Sequence, residues 1–213
     1  MTVGITGGLP EPVALLPGSL LLDHDWLSGQ VLTTGISYGS DDPRLGATLW
    51  WYSASAVLLG QSVHELVLLG SGASLDPADV RMVTRPGGLD RVVPGPSVAP
   101  GAAAYGAHLE SVLAPVITAL AEVGRATPQS LWAVTADSLA TRLLASRAPH
   151  LAAELVLRRM PAPRFVDVLG RAYVHRVSCC LLYRVPMGKC LSCPRQAPAE
   201  RRARLETHAR AQG

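Results

Sequence analysis

Apolar residues recur at helical spacing along much of this chain, and its clearest helix starts are marked by proline. Asp42-Pro43 joins a capping carboxylate to a residue that needs no amide partner in a first turn. From there Leu45, Leu49, Tyr52, Ala56 and Leu59 fall on one face. The spacing predicts helix over residues 43–69, with Gly60 a place for a break. Ala103–Gly124 repeats the pattern and meets Pro115, where disturbance is expected. Thr127-Pro128 starts a further helix running to about Ser146, and Pro149–Met160 reads as another. Pro161 and Pro163 close this helical part.

Period-two patterning is confined to short runs. Val80–Arg85 and Leu89–Val93 flank Pro86-Gly87-Gly88 and predict a β-hairpin. Gln30–Ser37, within a Gly-, Pro- and Thr-rich opening over Met1–Ser40, has a β-like run of branched residues, and Gly170–Ser178 is partly β-like. Residues 198–212 return to helical spacing, with Glu200/Arg204 and Arg202/Glu206 one turn apart. No internal repeat is visible. The fold class expected is α+β, a mostly helical domain with a small β-hairpin.

Composition changes this picture in one respect. At 213 residues the chain can bury a full core without disulfide staples. Its net charge of +3 resides entirely in residues 195–213, with five Arg and two Glu. A basic stretch this short reads as a solvated helix end, which weighs against a nucleic-acid partner. No basic residue precedes Arg44, so the apolar stretch Val13–Leu22 lacks the positive flank of a secretory signal. Leu49–Leu69 is interrupted by Gln61, His64 and Glu65, too polar for a membrane span. The expected compartment is cytoplasmic and reducing, where clustered cysteines favour metal or redox chemistry over stable disulfides.

The chain's four cysteines all fall within fifteen residues: Cys179, Cys180, Cys190 and Cys193. Packing cysteines would be scattered. Four thiolates suit a tetrahedral zinc or an iron–sulfur cluster. The Cys190-x2-Cys193 turn serves either. The vicinal pair Cys179-Cys180 is an awkward zinc ligand set, because neighbouring side chains diverge unless the chain turns. It suits the two separate irons of a [2Fe–2S] cluster better. Arg176, Arg184, Lys189 and Arg195 surround the cysteines in sequence and would offset the anionic charge of such a centre. Arg184, inside the ligand loop, is the first choice among them.

The run Ser178-Cys179-Cys180-Leu-Leu-Tyr183-Arg184-Val-Pro186-Met-Gly188-Lys-Cys190-Leu-Ser-Cys193 resembles the C-terminal signature of the FhuF-like ferric-siderophore reductases. That family carries Cys-Cys-x10-Cys-x2-Cys, and this chain has one residue fewer between Cys180 and Cys190. The resemblance implies a [2Fe–2S] cluster bound by Cys179, Cys180, Cys190 and Cys193. It implies one-electron reduction of a ferric siderophore to release Fe(II), with a separate electron-donor protein as partner. Residues 43–51 and 128–132 look like helical segments of the same family. The rival expectation is a non-enzymatic zinc or iron–sulfur module that interacts with a protein or nucleic-acid partner.

The organisation expected is an α+β siderophore-binding domain over residues 1–170, a four-cysteine iron–sulfur segment over 171–194 as a C-terminal cap, and a basic tail over 195–213. Other constellations read as structural. Asp23-His24-Asp25 cannot easily converge on one metal, His64-Glu65 lacks a second His at helical spacing, and Gly70-Ser71-Gly72 lacks the Lys of a phosphate loop. His175 is superfluous beside four Cys. Trp50, Trp51 and Trp132 read as core or as a cleft wall.

Overall fold

A computed structural model of the protein describes residues 14–98, 100–155 and 157–212. The start of the Gly-, Pro- and Thr-rich opening, including Val13, lies outside the described residues. Five α-helices and two small antiparallel sheets make up the described structure, which is α+β and mostly helical.

Helix α1 spans His24–Ser37 and is capped by Asp23, whose carboxylate accepts from the Trp26 amide at 2.8 Å. The Asp23-His24-Asp25 cluster is therefore a helix start, and His24 pairs with Glu122 at 3.1 Å. The β-like run Gln30–Ser37 belongs to this helix, a correction to the reading from residue type. Leu27, Val31 and Thr34 are buried, one helical turn apart. Tertiary burial overrides the weak local preference of branched residues.

Helix α2, Pro43–Leu69, is the axis of the fold. Asp42 caps it by accepting from the Arg44 amide at 2.9 Å, and Gly70 ends it at φ 74°. It runs unbroken through Gly60. Helix α3, Ala102–Gly124, likewise continues through Pro115. Helix α4 spans Pro128–Ala145, with Thr127 as its cap. Pro149–Ala153 forms only a short 3-10 turn, so the helix expected over Pro149–Met160 is curtailed.

Helices α1, α3 and α4 pack around α2. Trp50, Trp51, Leu59, Tyr105, Leu109, Ile117, Leu131 and Leu139 are fully enclosed. Trp51 Nε1 spends its proton on the α4 backbone and hydroxyl, with Leu131 O at 3.1 Å and Thr135 Oγ1 at 3.0 Å. All three helical tryptophans expected as core or cleft wall are buried. Two glycines let helices meet closely. A Cβ at Gly46 would lie 2.4 Å from Val31 O on α1, and one at Gly124 would lie 2.2 Å from Ala47 Cβ.

The first sheet has the order β1 (Leu16–Pro17), β2 (Arg81–Arg85), β3 (Gly88–Val93), all antiparallel. The expected hairpin is present, with Gly87 at φ 67° in its turn. Thr34 Oγ1 donates to Gly87 O at 3.0 Å and fastens the hairpin to α1. The second sheet pairs β4 (Phe165–Val168) with β5 (Arg171–Val174). Leu169 at φ 54° and Gly170 at φ 75° form its two-residue turn, a backbone that matches strand twist. Helix α5, Pro198–Ala211, then lies against this hairpin and buries Leu205 and Ala209.

The α1–α2 crossing makes opposite predictions for two glycines. Gly46→Ala is expected to lower the melting temperature by about 4–8 °C, from about 2 kcal/mol of overpacking. Gly29→Ala, with nothing within 4 Å of the new Cβ, is expected to raise it slightly, because alanine is the better helix former. Thermal denaturation of both variants checks this. Shifts of the same sign would refute the close crossing.

Candidate metal centre

The cysteine segment leaves β5, and one buried carboxylate fastens its start to the helical body. Asp137 lies on α4 and is 4% exposed. Its Oδ1 accepts from the Val177 amide at 2.9 Å, and its Oδ2 from the Ser178 amide at 3.1 Å. The Ser178 hydroxyl donates to the same oxygen, as does Tyr52 OH from α2 at 3.0 Å. Arg176 Nε adds a longer contact at 3.4 Å. Burial pushes the Asp137 carboxyl above its usual range, against hydrogen bonds from Ser178 and the backbone that pull it down. Sequence reasoning missed this residue. Its signal was a carboxylate placed between Leu131, Val134 and Leu139 on an otherwise buried helix face.

Cys179 and Cys180 follow directly. Leu181 adopts φ 64°, a left-handed conformation that costs a leucine energy and turns the chain sharply after the vicinal pair. A short 3-10 turn, Leu182–Arg184, comes next. The loop tip Pro186–Lys189 is exposed, with Gly188 at φ 70°. Cys190 and Cys193 form a tight turn in which the Cys193 amide donates to Cys190 O at 3.2 Å. Gln196 is buried and donates from Nε2 to the same carbonyl at 3.1 Å.

All four cysteines are free thiols. The sulfurs of Cys180 and Cys190 lie 3.7 Å apart, and Cys193 is close enough to Cys190 to influence it electrostatically. Cys179 lines a neighbouring cavity with Arg44 and Arg195. Among the described residues, no three His, Cys, Asp or Glu side chains close on one point as a single ion demands. The hydrogen bond with Cys190, helped by the Leu182 amide and Arg176, holds the Cys180 thiol down at about 5, against burial. The same contact, with burial, pushes Cys190 up. The contact thus favours a thiolate on Cys180 and keeps the proton on Cys190.

Arg176 is the cation of this site. Its Nη1 donates to Cys190 Sγ at 3.1 Å, and its Cζ lies 4.3 Å from the centroid of the Tyr52 ring. Nη2 is buried with no partner. Arg184, the first choice from sequence, instead pairs with Asp42 at 2.6 Å and ties the loop between Cys180 and Cys190 to the cap of α2. Arg195 stacks over Tyr183 at 4.6 Å. The carbonyl of Lys189 accepts from Arg204 on α5 at 3.3 Å. His175 contacts Arg201 at 3.1 Å and takes no part among the cysteines. Leu45, Leu49, Leu181 and Val185 form an apolar layer around Cys180, with Tyr52 and Tyr183 at its margin.

Four unpaired thiols, a guanidinium on one sulfur and a spare buried N–H donor fit an anionic iron–sulfur cluster. The donor set is all-sulfur, and Cys179, Cys180, Cys190 and Cys193 are the residues that would hold it.

Residues 176–195 match the FhuF 2Fe-2S C-terminal domain family. The match begins at Arg176, ends at Arg195 and contains all four cysteines, so it supports an iron–sulfur centre on this segment. The chain is also similar to a type III pantothenate kinase of Bordetella pertussis, 30% identical over 164 residues, or 71% of this chain and 60% of that protein.

Asp137 is the point at which to test the attachment. Asp137→Asn keeps the size but presents an amide N–H to donors already aimed at an oxygen. A loss of about 3 kcal/mol is expected from breaking the buried charge network, together with reduced iron and sulfide content. Denaturant titration and metal analysis decide it. Wild-type stability with full iron would show that the segment is held by other contacts.

Proposed function

We propose that this protein is a ferric-siderophore reductase, a one-electron oxidoreductase that holds a [2Fe–2S] cluster on Cys179, Cys180, Cys190 and Cys193. The observation that supports it most is the Arg176 guanidinium on Cys190 Sγ, inside a four-thiol segment that matches a 2Fe-2S domain. A cluster bound there supplies one electron at a time. The substrate is chelated Fe(III). Hydroxamate or catecholate oxygens are hard ligands that hold Fe(III) tightly and Fe(II) weakly, so a gain of one electron releases the iron. The electron is replenished by a separate donor protein, and the reaction belongs in the reducing cytoplasm.

The chain's own groups support this in three ways. Arg176 sets a positive charge against the sulfurs, which favours a more reduced, more negative centre. Leu45, Leu49, Leu181 and Val185 keep water from one side and lower the local dielectric. Cys179 and Cys190 remain half-buried, so the site is not sealed from a bound chelate.

The Gly70–Gly72 turn, whose glycines suggested a phosphate loop, is closed by the Tyr105 ring, which lies 2.4 Å from where a Gly72 Cβ would be.

Anaerobically purified protein is expected to be red-brown, with two irons and two sulfides per chain by the proposed stoichiometry. Ser in place of any one of the four cysteines should strongly reduce that content. The reduced protein should be reoxidised by ferric siderophores under anaerobic conditions. A colourless zinc protein, or a cluster that no ferric chelate oxidises, would sink the reductase reading.

Redox titration of two arginine variants gives a finer test. A unit charge at about 6 Å and an effective dielectric of about 20 contributes about 3 kcal/mol. Solvent and Asp137 reduce this to about 1–2 kcal/mol. For one electron, about 1.4 kcal/mol corresponds to about 59 mV. Arg176→Gln is expected to lower the potential by about 40–80 mV with an unchanged spectrum. Arg184→Gln, already neutralised by Asp42, should lower it by less than about 20 mV. The reverse ranking would overturn the assignment of Arg176.

A further inference from the structure

A small cavity opens beside Cys179, between the N-terminal turns of α2 and α4 and the cysteine segment. Its volume is about 170 Å³, and Arg44, Thr48, Ser130, Cys179 and Arg195 are among the residues that line it. Two features give it a sign. Arg44 and Arg195 are exposed, and neither is within 4.0 Å of a carboxylate among the described residues. The nearby Asp42 carboxylate is engaged by Arg184 at 2.6 Å and by the Arg44 amide. Both helices also present their N-terminal, positive ends on this side.

The hydroxyls are committed elsewhere. Thr48 Oγ1 donates to Arg44 O at 2.7 Å, and Ser130 Oγ donates to Thr127 O at 2.7 Å. The donors left for a ligand are the two guanidiniums, which suit a carboxylate. Size narrows the ligand further. Sites for whole drug-sized molecules run to about 300–1,000 Å³, so this cavity takes one arm of a chelate.

We propose that this cavity binds a carboxylate of an anionic ferric chelate and holds the chelate against Cys179. This rests on the reductase reading and names its substrate class: carboxylate-bearing, citrate-type chelates in preference to neutral tris-hydroxamates. Three hydroxamates neutralise Fe(III) and leave nothing for Arg44 and Arg195 to attract. A citrate-type complex carries net negative charge. Those two arginines also offset its repulsion from the anionic centre.

Gallium(III) has the charge and nearly the size of Fe(III) but accepts no electron under these conditions, so it separates binding from reduction. Gallium(III) citrate, gallium(III) tris(acetohydroxamate) and metal-free citrate are titrated calorimetrically into full-length, cluster-loaded protein. Gallium citrate is expected to bind at least about tenfold more tightly than the neutral tris(acetohydroxamate), metal-free citrate is expected to bind through the same two arginines, and Arg44→Gln or Arg195→Gln should each weaken both citrate probes by about fivefold. Added salt should narrow these differences.

Equal affinity for the neutral complex, or citrate binding that neither variant weakens, overturns the assignment. So does a variant that shifts the redox potential but retains gallium citrate affinity, since its arginine then serves the cluster. Reoxidation by the ferric counterparts is read separately. If no ferric chelate takes an electron while gallium citrate binding follows the expected pattern, the cavity stands and the reductase reading falls.

Discussion

A single buried carboxylate joins the start of the cysteine segment to the helical body. Asp137 belongs to α4, yet the donors aimed at it come from the cysteine segment, from α2 and from Arg176. A buried carboxylate is tolerable only when its lone pairs are filled. Here two backbone amides fill them, so the chain at Val177 and Ser178 has one permitted position. The Cys179 and Cys180 backbone inherits that position because no residue intervenes. Tyr52 OH touches both Asp137 and the Ser178 hydroxyl, which joins α2 to the same node. The α2–α4 interface around it is itself polar, with Trp51 bonded to Thr135 and Ser55 to Ser138 at 2.7 Å. Such bonds lose value quickly when misaligned, so the two helices keep a fixed rotation and Asp137 keeps its aim.

From that anchor, the vicinal cysteines become usable. In extended chain they would point apart. The left-handed Leu181 bends the backbone immediately after them and brings Cys180 to 3.7 Å from Cys190. A leucine at positive φ is disfavoured, and its side chain supplies the compensation, being buried with Leu45, Leu49 and Val185. Strain and packing therefore occur at one residue, beside the proposed ligands. That is where over-determined backbone tends to gather. The Arg184–Asp42 pair closes the other side of the turn and uses a carboxylate that already caps α2. In this way the start of α2 and the loop between Cys180 and Cys190 are positioned by the same aspartate.

How much of this was legible depended on range. Helices α2 and α4 were readable because Asp42-Pro43 and Thr127-Pro128 specify their starts within a few residues. The β2–β3 hairpin was readable from Pro86-Gly87-Gly88. Helix α1 was misread at Gln30–Ser37, since its branched residues favour strand locally and are helical because Val31 and Thr34 pack across the fold. The β4–β5 hairpin was only half seen, because its turn places Leu169 at a positive φ that sequence assigns to Gly or Asn. The cysteines stood out by clustering. Asp137 did not, since its partners lie about forty residues away and a lone Asp in a helix looks like a surface charge. For the same reason Arg184 outranked Arg176: proximity in sequence favours a residue inside the loop, and proximity to sulfur is a tertiary fact.

The C-terminal helix bears on the loop that is one residue shorter than the family pattern. Both ends of that loop are pinned by contacts remote in sequence. Asp137 holds the Cys179-Cys180 side, while Gln196 holds the Cys190 carbonyl. Arg204 on α5 reaches the Lys189 carbonyl just before Cys190, and α5 is itself seated on the β4–β5 hairpin through Leu205 and Ala209. Between these pins, Pro186–Lys189 is exposed and turns at Gly188. A residue removed from an exposed tip changes the path of the tip, and the pinned ends resist the change. The placement of the cysteines in space is then governed by Asp137, Gln196 and Arg204, and only secondarily by the number of residues between Cys180 and Cys190. On this account the tail beyond Arg195 is part of the scaffold that sets the sulfur positions, and its positive charge follows from the arginines used to reach the loop and to pair with Glu206 along the helix.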